Sequence, residues 1–207
     1  MGGYDSPNYI NASPPGGWNE VLDQAGGNST NGLSIYWKFA ASSSETNPQF
    51  TFASATQDRH TGLAVSLTGV NTTSPIGTVG TLSSADGSVA PTPHSSSGIV
   101  AIGSTSLGLY LDQAYYGDGN GISYKLDTPS GWTEWYDKPV AATTTDGQNA
   151  GGYKSLTQGV GSGNISVNGG EYWSQVQIEI RGAGDSVLIP SPPPVNPILP
   201  FQHLLVR

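Results

Sequence analysis

Read for apolar periodicity alone, the chain is a succession of short alternating runs. In "GLSIYWKFA" (Gly32 to Ala40), Leu33, Ile35 and Trp37 fall on one face and Tyr36 and Lys38 on the other. That period of two predicts a strand. "QFTFASA" alternates Phe50 and Phe52 with Thr51 and Ala53, and "TGLAVSLTGV" (Thr61 to Val70) is apolar enough to predict a buried central strand. Further strands are expected around Ile99, Val100 and Ile102, over Leu107 to Tyr115, over Ile122 to Leu126, and in "GNISVNG". "EYWSQVQIEIRG" alternates most strongly, and Trp173, Val176, Ile178 and Ile180 are read as its inward side. Gly, Pro, Asn and Ser clusters punctuate these runs about every 8 to 15 residues, the rhythm of a two-sheet antiparallel sandwich of about nine or ten short strands.

Composition sharpens this picture. Only 11% of residues are charged, whereas Gly alone accounts for 29 of 207. Long helices draw on Glu, Lys and Arg, which are scarce, so the chain is expected to be all-β. The net charge of −8, with seven Lys and Arg in all, argues against a nucleic-acid partner and against an anionic membrane surface. There is no cysteine, which removes disulfide scaffolds and thiolate metal sites. The opening "MGGYDSPNYINASPP" has neither a basic start nor an apolar core, so no signal peptide is expected there.

The pattern divides the chain into an N-terminal arm (1–15), a β-sandwich domain (16–184) and a C-terminal tail (185–207). The tail, "SVLIPSPPPVNPILPFQHLLVR" after Asp185, carries six prolines and an apolar end. Proline is excluded from central strands and favours an extended conformation, so this segment is expected to be extended and outside the sandwich. It is too apolar for a solvated linker. Ile189, Ile198, Leu199, Phe201, Leu204 and Leu205 are therefore read as docking residues, on a partner subunit or on the chain's own domain.

Candidate chemistry is sparse. His60, His94 and His203 show no metal-ligand spacing, and His60 sits in a polar turn. The chain has no nucleophile elbow, phosphate loop or dinucleotide fingerprint. A carboxylate pair for glycoside hydrolysis is a spatial matter; Glu20 with Glu134, or Glu171 with Glu179, are the pairs to examine. Asp118 and Asn120, with Asp112 upstream, alternate oxygen ligands in a glycine turn, but Asp-Gly and Asn-Gly equally mark hairpin turns, the favoured reading. No catalytic residue, metal or cofactor is assigned. Among the aromatics, Tyr115, Tyr116 and Trp135 lie near turns and are the candidates for stacking on a glycan.

One element occurs twice. "PGGWNEVLD" (Pro15 to Asp23) and "PSGWTEWYD" (Pro129 to Asp137) share P-x-G-W-x-E-x-x-D. A Gly that permits a tight bend, a Trp and a short strand, then a turn and a Tyr-bearing stretch, follow in the same order in both. Equivalent hairpins in two sheets, with Trp18 and Trp132 closing the open ends, explain this better than two ligand sites.

These same segments carry a resemblance. "YWKFA" after the first GW turn is similar to a "YYRVA"-like strand, "QFTFAS" to "YTFTFS", "SLTGVNTTSPIG" to "AYSGVDTTNPID", and "PSGWTEWYD" to "PAGMTERYD". The order resembles a β-sandwich domain of bacteriophage structural proteins, also found in bacterial surface proteins. It covers about Gly16 to Arg181 and is strongest at Val65 to Gly77 and Pro129 to Asp137. The resemblance implies a jelly-roll, concanavalin-like sandwich and no catalytic residues. It also implies a virion exterior location, most simply as a capsid decoration or cement protein in many copies, a homo-oligomer or an array held by other virion proteins. The alternative is a tail or baseplate accessory protein that binds a host glycan. Such domains open with an apolar strand like "GDLLLAVV", which this chain lacks before its first GW turn. One sheet is thus expected to have an open edge or groove for the tail to cover.

Overall fold

The computed structural model describes residues 2–4, 14–25, 32–42, 48–50, 59–86, 93–115, 129–140, 147–168, 172–184, 189–190 and 204–206. All regular elements among them are strands: β1 (Gly2–Tyr4), β2 (Asn19–Ala25), β3 (Gly32–Trp37), β4 (Arg59–Thr61), β5 (Leu63–Ala64), β6 (Leu67–Thr68), β7 (Ile76–Val79), β8 (Ser83–Asp86), β9 (Pro93–Ser96), β10 (Ser106–Tyr115), β11 (Thr133–Val140), β12 (Gly147–Leu156), β13 (Ile165–Asn168), β14 (Tyr172–Arg181), β15 (Ile189–Pro190) and β16 (Leu204–Val206). Every paired neighbour is antiparallel. The protein is an all-β sandwich, as the apolar period predicts.

Two sheets carry the architecture. The larger runs β11-β12-β10-β14-β7, with β8 also on β14, and the smaller runs β2-β3-β16-β5. β10 lies at the centre of the larger sheet, in register with β12 and β14 from Ser106 to Tyr115. Because side chains alternate, its Leu107, Leu109 and Leu111 share a face with Ile180, Ile178 and Val176 opposite them. Leu33, Ile35, Leu63 and Val65 of the smaller sheet's side meet that face, and together they form the main core. Burying each such aliphatic side chain contributes roughly 1.5–3 kcal/mol.

The other face of the larger sheet is not left to water. Segments 97–103 and 157–164 and the β9–β13 pair lie over it, so the molecule has a third layer. Beneath this cover sit two smaller clusters, Tyr110 with Trp132, Ala150 and Ile165, and Ile99 with Ala101 and Leu156.

Several expectations change. Trp173 does not share a face with Val176, Ile178 and Ile180: it pairs with Ala114 and faces the cover, whereas they face the main core. Both parities of β14 are buried, so burial alone does not reveal the face. The strand expected at Ile99 to Ile102 is an irregular segment with a single bridge, Val100 to Gly161, and the regular strand falls earlier, at β9. Thr61 to Val70 is not one central strand but the pieces β4, β5 and β6, with β5 at the margin of the smaller sheet. In the arm, Gly2–Tyr4 pairs with β4. In the tail, Leu204–Val206 does not stand outside the sandwich: it lies between β3 and β5. The expected strand at Ile122 to Leu126 and the Asp118 and Asn120 turn lie outside the described residues, as do Thr51 to Asp58.

Candidate functional site

The two copies of P-x-G-W build the same device. In each, the Trp amide donates to the Pro carbonyl three residues back, Trp18 to Pro15 at 3.3 Å and Trp132 to Pro129 at 3.0 Å. In each, the Gly before Trp has positive φ, +87° at Gly17 and +81° at Gly131. This is a type II turn, whose third position demands glycine. Each turn feeds an edge strand, β2 of the smaller sheet and β11 of the larger. Each strand then carries one extra residue at the same point, between Glu20 and Leu22 in β2 and between Glu134 and Tyr136 in β11. The bulge sends Val21 and Leu22 in one copy, and Trp135 and Tyr136 in the other, against the main core. A lysine lies over each turn's Trp, Lys38 at 5.6 Å from the Trp18 ring and Lys154 at 5.3 Å from that of Trp132.

This geometry bears on two sets of candidates. Trp135, read as an exposed stacking ring, is only 8% exposed and belongs to the main core, because the bulge turns it inward. Glu20 and Glu134 are exposed and stand on edge strands of two different sheets. Tyr115 ends β10 beside Gly147 and Tyr172, while Tyr116 and Glu171 lie outside the described residues.

The densest polar chemistry is on the cover side of β14, where Gln175, Gln177 and Glu179 follow at every second residue and are all fully buried. Each holds a different part of the cover. Gln175 Nε2 donates to Asp112 Oδ2 at 2.7 Å, and His94 Nδ1 lies 3.0 Å from both Asp112 oxygens. That places the ring proton on Nδ1 and orients His94 of β9, whose ring stacks on Trp173 at 4.9 Å. Gln177 accepts from Ser162 Oγ at 2.5 Å and donates to the Ser97 and Gly163 carbonyls at 3.1 Å each. Glu179 accepts from the amides of Thr78 and Gly103 at 2.9 Å, from Ile102 at 3.1 Å and from the Ser106 hydroxyl at 2.6 Å.

Burial alone would raise the Glu179 carboxyl above its ordinary value, but the Ser106 hydroxyl and the three amides outweigh it and hold the group below 4.5. It is an ionised anchor that replaces the strand pairing the 99–103 segment lacks. Gly77 is part of the same arrangement, since a Cβ there would lie 2.2 Å from Glu179 Oε2. The His94–Asp112 pair has the polarity of an acid–base dyad, but His94 is fully buried and its Nε2 has no hydrogen-bond partner. Among the described residues no group of three or more His, Asp and Glu is placed to hold a metal ion.

The third feature is where the tail meets the sandwich. Ile189 and Pro190 pair with Thr68 and Leu67. Leu204, Leu205 and Val206 pair with Trp37, Tyr36 and Ile35 on one side, and Leu205 and Val206 with Ala64 and Leu63 on the other. A cavity of about 100 Å³, lined by Trp37, Phe39, Leu67, Val70, Ile76 and Ile180, lies beside both contacts, since Leu67 and Trp37 border it. Ile198, Leu199, Phe201 and His203 lie outside the described residues. On the cover, Val100, Ile102 and Val160 are each more than half exposed.

Sequence reasoning missed the Gln175, Gln177 and Glu179 series. Its signal is present, three polar side chains with hydrogen-bonding capacity on one parity of a strand whose other parity is apolar. That pattern ordinarily marks a solvent face, and only the irregular cover shows otherwise. No protein-family model matches the chain, and neither the curated proteins nor the solved structures contain a match to it.

Proposed function

We propose that this protein is a non-enzymatic structural component of a tailed-phage virion, and in particular a capsid decoration or cement protein exposed on the particle exterior. The observation that carries this reading is what the chain does with its reactive groups. His94, Asp112, Gln177 and Glu179 are buried and engaged in holding the cover onto the larger sheet. The segments that resemble phage structural domains are themselves architectural. Pro129 to Asp137 is a turn and a bulged edge strand. Val65 to Gly77 contains the Asn71 turn, whose Oδ1 accepts from Thr73 and Ser74, and it is stitched to β14 through Asn71 N to Arg181 O and Arg181 N to Pro75 O. A jelly-roll lineage is the finer inference from the same residues.

In this role the useful quantity is contact area multiplied by copy number. A modest patch, repeated over a shell, gains avidity without any single strong contact. The exposed Val100, Ile102 and Val160 are the surface available for it. The glycan-binding alternative retains Tyr115 and Tyr116 and loses the ring of Trp135. Quantifying the protein in purified particles tests the proposal. On the order of hundreds of copies on the head is the expected result, as shell-wide avidity requires; a handful at the tail supports the accessory role, and absence from particles rejects both.

A further inference from the structure

We propose that the outer face of the cover, where Val100, Ile102 and Val160 stand, is a two-fold contact surface for a second copy of this chain. This deepens the virion reading by naming the partner of that surface, and rests on it for the setting in which copies meet.

Residues 99–101 and 159–162 form an antiparallel ribbon. Ser162 N donates to Ile99 O at 2.8 Å, Gly159 N donates to Ala101 O at 2.9 Å, and Val100 bridges Gly161 between them. The run Ile99 to Ile102 is apolar on both parities. Ile99 and Ala101 are buried in a cluster with Leu156, whereas Val100 and Ile102 are more than half exposed, as is Val160 across the ribbon. A strand that is apolar on both parities is the pattern of one covered on both faces. Here one face is covered and the other is open. Three of the five large apolar side chains exposed among the described residues are gathered on it.

The relief of this face fits a copy of itself. Residues opposite one another in a bridge direct their side chains to the same face, so Gly161 leaves a hollow beside Val100. A Cβ at Gly161 would meet nothing within 4 Å, and the φ of Gly161 is ordinary. An apolar knob and an open hollow thus stand side by side. Under a two-fold axis between them, Val100 of one copy enters the hollow at the second copy's Gly161, and the reverse contact follows by symmetry.

Charge points to the same occupant. A two-fold contact brings each residue near its own counterpart, so a charged side chain at the centre would meet its like. That cost is general for a chain of net charge −8, but segments 97–103 and 157–164 contain no charged residue. Lys154, which reaches the ribbon, is engaged by the Ser162 carbonyl and the Trp132 ring. The two segments comprise seven and eight residues. A standard interface uses roughly 20–30 residues a side, so this contact is weak and depends on concentration. Repetition over a shell supplies that concentration.

Charge exchange at Val100, beside the proposed axis, tests this. Val100→Asp and Val100→Lys are made in the full chain at a position exposed enough for the fold to tolerate them. In sedimentation equilibrium the unmodified chain is expected to dimerise as its concentration rises. Each variant alone is expected to associate about tenfold or more weakly, because like charges then face each other. An equimolar mixture of the two is expected to regain association. Gly161→Gln, which fills the hollow without adding apolar surface, is expected to weaken the dimer while leaving the denaturation midpoint unchanged. A chain that stays monomeric up to about millimolar concentration overturns the proposal. So does a dimer that the Val100 variants leave intact, or a mixture that associates no better than its components. Location and copy number in particles are measured separately, so failure of this contact is distinguishable from failure of the virion reading.

Discussion

At the scale of single residues, the chain's most informative group is Glu179. A fully buried carboxylate is tolerated because four donors surround it, three of them amides of segments that form no regular strand with each other. Glu179→Gln presents an amide NH2 to those donors and is expected to lose on the order of 2 kcal/mol, read as a lower denaturation midpoint. The pH dependence has a definite sign. The folded-state carboxyl titrates below 4.5, so its contribution is complete above that value and fades as pH falls through the lower, folded-state one. Stability of the native chain minus that of Glu179→Gln should therefore be constant near neutrality and shrink in acid. A difference that does not change below pH 4.5 contradicts the assignment. Glu179 was visible in the sequence only as half of a carboxylate pair with Glu171, because no periodic signal marks irregular segments that need an anion to hold them.

At the scale of elements, the repeated hairpin entry was the most legible feature. The shared Pro, Gly and Trp predicted matching corners, and the turns, the bulges and the lysine over each indole occur in both copies. What the motif did not disclose is the extra residue in β2 and β11. That residue is why Trp135, near a turn, is inside the core rather than on the surface. The parity of β14 was likewise hidden, since Trp173 and Val176 are both buried, one on each face. Substitutions separate two uses of glycine. Gly17→Ala and Gly131→Ala meet open space, so each should cost only the positive-φ strain, about 1–2 kcal/mol. Gly77→Ala drives a methyl into the Glu179 carboxylate and should cost clearly more than either, although its own φ is ordinary. Equal losses at all three positions in chemical denaturation would contradict this account.

At the scale of the whole molecule, the sandwich is completed from its C-terminus. The resemblance led to the expectation of an open edge or groove for the tail to cover, whereas Leu204–Val206 lies inside the smaller sheet, between β3 and β5. Three residues after a proline-rich stretch are too few to show a period of two, which is why the tail read as lying outside the domain. If the account is right, the last residues are part of the fold of the smaller sheet and matter little to the larger one, where β10 is paired along its whole length on both sides. Amide hydrogen exchange, compared between the full chain and a chain ending at Gly184, tests this most directly. The account predicts that the amides of Ile35–Trp37 and Leu63–Ala64 that face β16 are protected in the full chain and lose that protection in the shortened one, while those of β10 and β14 remain slow in both. Unchanged exchange across β3 and β5 after removal of the last strand would contradict it.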